Sequence, residues 1–365
     1  MIQRKYSLSE IKLIPAQISK VSSRGEVNVC YRDNGQSSLT ASPMDTVISP
    51  DNKDLFLKHS NVCLPRNSFK LKDIKVQDRT QNNLLFYSLG IKEFTEVIET
   101  FSVPFGGDYY CLLLDIANGH MSQAAQLTLK AKEKFQNGLI LMVGNIANPK
   151  TMLDYAHADY IRVGIGGGSA CLTSTKTGIH FPMASLVREC FEVKERFDLK
   201  TKIVADGGIA TYSDIVVSLA LGADYVILGK LFNKTIEAIG PKYIDSLDEK
   251  ENDKVLINTE EAKKLFFGGK TVYNLYRGMS TEEVQKQWNN NAVHELKVSE
   301  GTRYFNKITY TLETFMKNYN HNLSSAMSYC GKFFLEEFVG MDDESFILVS
   351  DFAHQSIKNK PNYEE

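Results

Sequence analysis

From Asp108 onward the chain alternates two kinds of segment. Short runs rich in aliphatic and β-branched residues, Tyr110 to Asp115, Leu139 to Asn145, Tyr160 to Gly164, Lys202 to Gly207 and Tyr225 to Gly229, are apolar at nearly every position. Largely apolar runs of this length predict strands covered on both faces, as in a parallel sheet. Between them, Ser122 to Phe135, Pro149 to Ala156, Pro182 to Phe197 and Thr211 to Leu221 carry apolar residues at helical spacing. They begin near Pro, Ser or Thr, which suit the first turn of a helix. Upstream, Thr40 to Val47, His59 to Leu64 and Asn83 to Gly90 are further strand candidates, while Arg66 to Asn82 is polar, basic and without period and is expected to be a loop. Repeated strand–helix units with short connections predict helices packed on a parallel sheet.

The polar residues choose between an open sheet and a closed one. Nearly every strand ends in Asp, Asn or Gly: Asp115, Gly144-Asn145, Gly164, Asp206-Gly207-Gly208 and Gly229. In a barrel these ends converge on one face, where active sites are built. The expected fold is therefore α/β, a parallel (β/α)8 TIM barrel that makes residues 1–365 a single catalytic domain without inserted regulatory domains. Two stretches depart from the repeat. The charged segment at about 233–270 is expected to be a solvated excursion, and 308–338 reads as two amphipathic helices around Asn322 to Ser325.

Composition narrows the partners. Forty-two basic residues against 44 acidic ones leave a formal charge of −2, so no global field holds nucleic acid or an anionic membrane. An anionic small molecule has to be caught locally. No apolar run approaches the roughly 20 residues of a membrane span, and the N-terminus lacks the apolar core of a signal peptide, which makes the cytoplasm the expected location. The six cysteines are scattered without the close pairing of a disulfide framework or zinc site.

Only Cys171 sits where chemistry is expected, in the loop Gly164 to Gly178 with glycines at 164, 166, 167 and 168. Glycines let the backbone approach a ligand closely, and a thiol held on such a loop can serve as a nucleophile. Asp206-Gly207-Gly208-Ile209 and Leu228-Gly229-Lys230 follow at two successive strand ends, the place where barrels form phosphate sites.

Taken in order, Met44-Asp45-Thr46-Val47, Leu114-Asp115-Ile116-Ala117-Asn118-Gly119, Gly144-Asn145, Arg162-Val163-Gly164, Gly168-Ser169-Ala170-Cys171-Leu172-Thr173, Asp206-Gly207-Gly208, Tyr276-Arg277-Gly278-Met279-Ser280 and Ser299-Glu300-Gly301 resemble the IMP dehydrogenase and GMP reductase family. The resemblance runs from about residue 40 to 340. Leu64 to Leu84 has no room for the regulatory tandem common in the dehydrogenases. The segment from Met279 to Gly301 is short and contains no arginine, whereas a dehydrogenase flap bears an Arg-Tyr pair that activates water. Gly278-Met279-Ser280-Thr281-Glu282 and Thr175-Lys176-Thr177-Gly178 resemble the reductase branch.

That resemblance implies an NADPH-dependent oxidoreductase converting GMP to IMP and ammonia through a covalent bond from Cys171 to the purine, with Thr173 and Glu282 as the acid pair that lets ammonia leave. It implies Asp206 at the ribose and Ser169, Gly207, Gly208, Gly229 and Tyr276 around the phosphate. Gly278, Met279, Ser280 and Glu300 fall at the purine edge, and Asp115, Asn118 and Gly119 on the nicotinamide side. Lys230 stands where relatives carry Ser or Gly, where it would either add charge at the phosphate or point outward. Arg66, within Leu64-Pro65-Arg66-Asn67, replaces a basic segment of the reductases as a cofactor contact. Carbonyls of Gly166, Gly168 and Cys171 would ring a monovalent cation such as K+, and the assembly implied is a homotetramer. Three alternatives stay open: IMP oxidation with Arg303-Tyr304 as a displaced water activator, reduction of a modified or deoxy purine nucleotide, and a non-catalytic nucleotide-binding homologue.

Overall fold

The computed structural model describes residues 3–78, 80–246, 254–279, 281, 284 and 301–350. A short N-terminal strand, β1 (Ile11–Leu13), precedes eight parallel strands that close on themselves: β2 (Leu39–Ala41), β3 (Asn61–Leu64), β4 (Leu85–Leu89), β5 (Tyr110–Asp115), β6 (Leu139–Ile146), β7 (Tyr160–Val163), β8 (Lys202–Asp206) and β9 (Tyr225–Leu228). Each pairs with its sequence neighbours. Closure comes from β2 on β9, with Leu39 opposite Val226 and Ala41 opposite Leu228. The (β/α)8 barrel expected from the strand-end pattern is therefore the fold observed. Among its described residues the connection from β3 to β4 contains one turn of 3-10 helix, Leu71–Asp73, and no inserted domain.

The outer layer follows from helical spacing and caps. In the helix Ser122–Phe135 the buried residues Ala124, Thr128, Ala131 and Phe135 recur every three or four positions and form one stripe against the sheet. Helix Tyr212–Leu221 starts with a capping box in which Thr211 and Asp214 exchange side-chain and backbone bonds, and it stops at Gly222 in the left-handed region. From Ile215 to Leu221 it is buried all round because a second layer covers it, with Tyr212 stacked on Phe315 at 5.2 Å between ring centres.

Two expectations are corrected. The C-terminal segment forms one continuous helix, Leu312–Tyr329, then a short turn, Leu335–Phe338, rather than two helices broken at Asn322 to Ser325. The apolar stripe Phe315, Tyr319, Leu323 and Met327 passes straight through that polar run, so burial of one face outweighs weak local propensity. The charged stretch 233–270 is also more than a solvated excursion. It contains β10 (Lys242–Asp245), β11 (Lys254–Ile257) and the helix Thr259–Phe267. With β12 (Tyr273–Arg277) and β13 (Arg303–Lys307) these strands form an antiparallel sheet in the order β11-β10-β12-β13, over a small core of Ile236, Ala262, Val272 and Ile308. Charges between Asp245 and Asp253 masked two short apolar alternations. Finally β14 (Phe346–Leu348) pairs antiparallel with β1 and ties the two ends together.

Candidate active site

The C-terminal ends of the barrel strands surround a cavity of about 540 Å³, well within the size of a nucleotide site. Ser42 to Met44 after β2, Asp115 on β5, Asn145 on β6, the Cys171 loop after β7, Asp206 to Ala210 after β8 and Gly229-Lys230 after β9 all face it. Tyr276, Gly278 and Met279 enter from β12 of the side sheet, so the two parts of the molecule meet at this mouth.

The cysteine loop is held by close backbone packing. Gly164 has φ +134°, and a Cβ there would lie 2.1 Å from the Asp206 carbonyl oxygen, so any side chain would push β7 and β8 apart. The Cys171 N–H donates to the Gly168 carbonyl at 2.9 Å and closes the turn. From the other side the Thr302 N–H donates to Ala170 O and the Gly278 N–H to Thr302 O, both at 3.0 Å. A chain segment about 130 residues distant is thus laced across the cysteine loop. The Cys171 thiol is half-buried, with Sγ 3.2 Å from the Thr173 hydroxyl. By contrast Cys63, Cys111 and Cys190 are fully buried, and burial pushes their thiols far up from the ordinary range. Those three behave as small core hydrophobes.

One corner collects hydroxyls and a cation. Ser169 Oγ and Tyr304 Oη lie 2.7 Å apart, and the Tyr276 and Tyr304 rings are 5.3 Å apart. The Tyr276 hydroxyl donates to Met44 Sδ at 3.3 Å and lies 2.6 Å from where a Cβ on Gly229 would stand. Glycine at 229 is therefore a steric requirement. Lys230 Nζ lies 5.8 Å from the Tyr304 ring centre. Burial, and then Lys234, lower the Lys230 ammonium from its ordinary value, and no carboxylate partners it among the described residues. Tyr304 entered the sequence reading only as a displaced water activator; here its hydroxyl is engaged at Ser169.

The opposite wall is charged. Arg162, buried inside the barrel, bonds Asp115 and Asp206, and Asn145 Nδ2 also donates to Asp206 Oδ2 at 2.8 Å. The sequence motif gives Arg162 no role, yet an arginine inside the apolar run of β7 is itself a signal of a functional position. Arg66 lines the cavity and lies 3.9 Å from Glu93.

Of the residues singled out from sequence, Cys171, Thr173, Ser169, Asp206, Gly207, Gly208, Gly229, Lys230, Tyr276, Gly278, Met279, Asp115, Arg66, Gly166 and Gly168 share this one cavity. Asn118 and Gly119 do not reach its wall. The Gly119 N–H is bound to Asn145 O at 2.8 Å, its carbonyl accepts the Tyr155 hydroxyl at 2.7 Å, and the Asn118 side chain accepts the His120 N–H, so both residues serve the turn itself. Ser280, Glu282 and Glu300 lie outside the described residues. Among the described residues no His, Cys, Asp or Glu cluster is suited to a metal ion, and no helix is long and apolar enough to cross a membrane.

Comparison with known sequences agrees with this architecture. A family model described as "IMP dehydrogenase / GMP reductase domain" matches residues 59–251, just over half of the chain. GMP reductase 1 of Mus musculus is 27% identical over 296 residues, covering 76% of this chain and 83% of the relative. GMP reductase 2 of Bos taurus is 27% identical over 293 residues, covering 76% and 82%. An inosine-5'-monophosphate dehydrogenase of Chlorobaculum parvum is 38% identical over 129 residues, covering 35% of this chain and 26% of the relative.

Proposed function

The chain belongs to the IMP dehydrogenase / GMP reductase family, and from that premise we propose that it is a GMP reductase, converting GMP to IMP and ammonia with NADPH as reductant. The family makes it an oxidoreductase of purine nucleotides with a nicotinamide cofactor. The finer reading rests on one observation above all: Cys171 reaches the same cavity as Asp206, Lys230 and Asp115, with Thr173 Oγ1 at 3.2 Å from its sulfur.

In this reading the nucleotide's phosphate occupies the corner of Ser169, Tyr276 and Lys230, where hydroxyls and one ammonium donate to an anion. Asp206 Oδ1, without a partner among the described residues, accepts from the ribose. The Cys171 thiolate adds to C2 of the guanine ring, the C2–N bond breaks, and the amine leaves as ammonia, protonated through Thr173 and Glu282. What remains is a thioimidate between Cys171 and the purine. The residues present suit a nicotinamide dinucleotide, since Asp115 keeps Oδ2 without a partner among the described residues and Arg66 supplies a cation at the same cavity. When bound, the reduced nicotinamide supplies the hydride that ends at C2. The C2–S bond then breaks, Cys171 regains its thiolate and IMP is released. One hydride and two protons balance GMP against IMP and ammonium.

K+ ringed by the carbonyls of Gly166, Gly168 and Cys171 belongs to the same reading. The Gly168 carbonyl already accepts one N–H and keeps one lone pair for a cation. Activity indifferent to K+ would remove that element. A cytoplasmic homotetramer also follows from the resemblance and is checked by sedimentation and fractionation.

The deciding assay follows absorbance of reduced cofactor and ammonia release together. GMP with NADPH is expected to give equal amounts of IMP, ammonia and oxidised cofactor. Reduction of NAD by IMP instead, with no reaction of GMP, would overturn the assignment.

A further inference from the structure

Arg162 is the charged residue of an otherwise apolar strand, and its side chain is only 7% exposed. Its Nη1 donates to Asp115 Oδ1 at 2.6 Å, while Nη2 and Nε donate to Asp206 Oδ2 at 2.6 and 3.1 Å. Asp115 ends β5 and Asp206 ends β8, so a single guanidinium from β7 bridges two strand ends across the barrel mouth. Asn145 donates to the same Asp206 oxygen and to Gly164 O, each at 2.8 Å, and braces the carboxylate from the side. Both aspartates line the cavity, and since every bond to Asp115 falls on Oδ1 and every bond to Asp206 on Oδ2, the second oxygen of each has no partner among the described residues. Burial opposes the charge of Arg162, but Asp206 and then Asp115 outweigh it and hold the guanidinium protonated.

We propose that Arg162 is a positioning residue shared by both ligands, fixing Asp206 toward the nucleotide and Asp115 toward the nicotinamide dinucleotide. This rests on the reading of the preceding subsection. The reason for arginine is geometric. A planar guanidinium carries N–H groups in fixed directions and bonds two carboxylates simultaneously, whereas an ammonium keeps the charge without the fork. Without any cation, two carboxylates would share a low-dielectric wall and repel each other away from their ligands. One side chain therefore sets the angle at which nucleotide and hydride donor meet, which is where misalignment costs rate.

The test measures KM for GMP and for NADPH in Arg162→Gln and Arg162→Lys, with Asp206→Asn and Asp115→Asn as single-ligand controls. In Arg162→Gln both KM values are expected to rise together by about tenfold or more, the size of a lost charged hydrogen bond. Arg162→Lys recovers part of each, Asp206→Asn raises chiefly the GMP value and Asp115→Asn chiefly the NADPH value. A change confined to one ligand in Arg162→Gln overturns the proposal. So does a lower melting temperature and smaller active fraction with both KM values unchanged, the signature of a structural role. Calorimetry with each ligand alone reads the same split without turnover. A protein that binds both ligands but does not reduce GMP would defeat the reductase reading while still judging Arg162, and wild-type protein that binds neither would overturn both.

Discussion

The two ends of this barrel carry similar polar groups and treat them in opposite ways. At the N-terminal base, Tyr31 donates to Asp224 O, Tyr225 to Gln36 Oε1, and Tyr319 shares a bond with Ser38. Asp224 takes Lys194 at 2.8 Å and Lys202 at 3.3 Å and accepts the Ile203 N–H as well. Those polar groups are consumed internally, as burial demands. At the mouth, Asp115 and Asp206 each keep an oxygen, Lys230 has no acidic partner among the described residues, and a half-buried thiol stands beside a threonine. The carboxylate oxygens, ammonium and thiol left with capacity at the mouth mark it as the place where a ligand completes the bonding. In the proposed reading the base contributes stability and the mouth contributes chemistry, in keeping with the general division of labour in barrels.

The largest effect that would sharpen this division is expected from Cys171→Ala. Turnover should fall by at least about a thousandfold, since the covalent route is lost, while calorimetry should find GMP affinity within a few-fold of wild type. Substantial residual reduction would break the assignment of the mouth. At the base, Asp224→Ala strands two lysines and a strand N–H and should lower unfolding free energy by about 3 kcal/mol. Denaturant melts would show it, and KM values of the folded fraction should not move. If Asp224→Ala altered KM instead, the two ends would not be separable.

The side sheet offers an intermediate case. Lys242 is 2% exposed and donates to Ala238 O and Asn274 Oδ1 rather than to a carboxylate. Burial brings its ammonium down to about 8, with Glu237 opposing weakly and Lys263 adding to the fall. In the folded protein it sheds its proton near pH 8, whereas the unfolded chain holds it to its ordinary value of 10.5. Between those values the unfolded state binds more protons, so this residue makes stability rise with pH, by at most about 1.4 kcal/mol per pH unit. Below pH 8 its cost is fully present. Chemical melts between pH 7.5 and 10 should show that rise in wild type relative to Lys242→Met, and identical slopes would refute it.

The smallest effect is expected at Lys230. Because its ammonium is lowered by burial and by Lys234, nucleotide affinity should weaken in alkaline solution before an ordinary lysine would titrate. Lys230→Met should raise the GMP KM by about tenfold, within the range of a charged hydrogen bond, and flatten that alkaline limb. An unchanged limb would show that the lysine points away from the phosphate.

Much of this molecule was readable before folding. The runs at 110–115, 139–145, 160–164, 202–207 and 225–229 became strands almost to the residue, because a strand buried on both faces leaves a largely apolar signature. The segments that misled did so for local reasons. Asn322-Leu323-Ser324-Ser325 looked like a break because polar residues favour turns, yet Leu323 lies on the buried stripe of a continuous helix. The side sheet was hidden because β10 and β11 are four residues each beside a strongly charged stretch.

What the sequence determined by itself was the set of chemical parts and their order: a thiol on a glycine-rich loop, aspartates and glycines at strand ends, and the apolar periods that make those ends converge. Only the tertiary structure decided which distant parts touch. Ser169 meets Tyr304 across 135 positions, Tyr276 comes to rest against Gly229, and Arg162 spans two aspartates 47 and 44 positions away. Periodicity is a property of neighbours along the chain and survives in the sequence. A hydrogen bond between strand ends depends on barrel closure, on the packing of the side sheet over the mouth and on the direction of individual side chains, and none of these is written in any local stretch of residues.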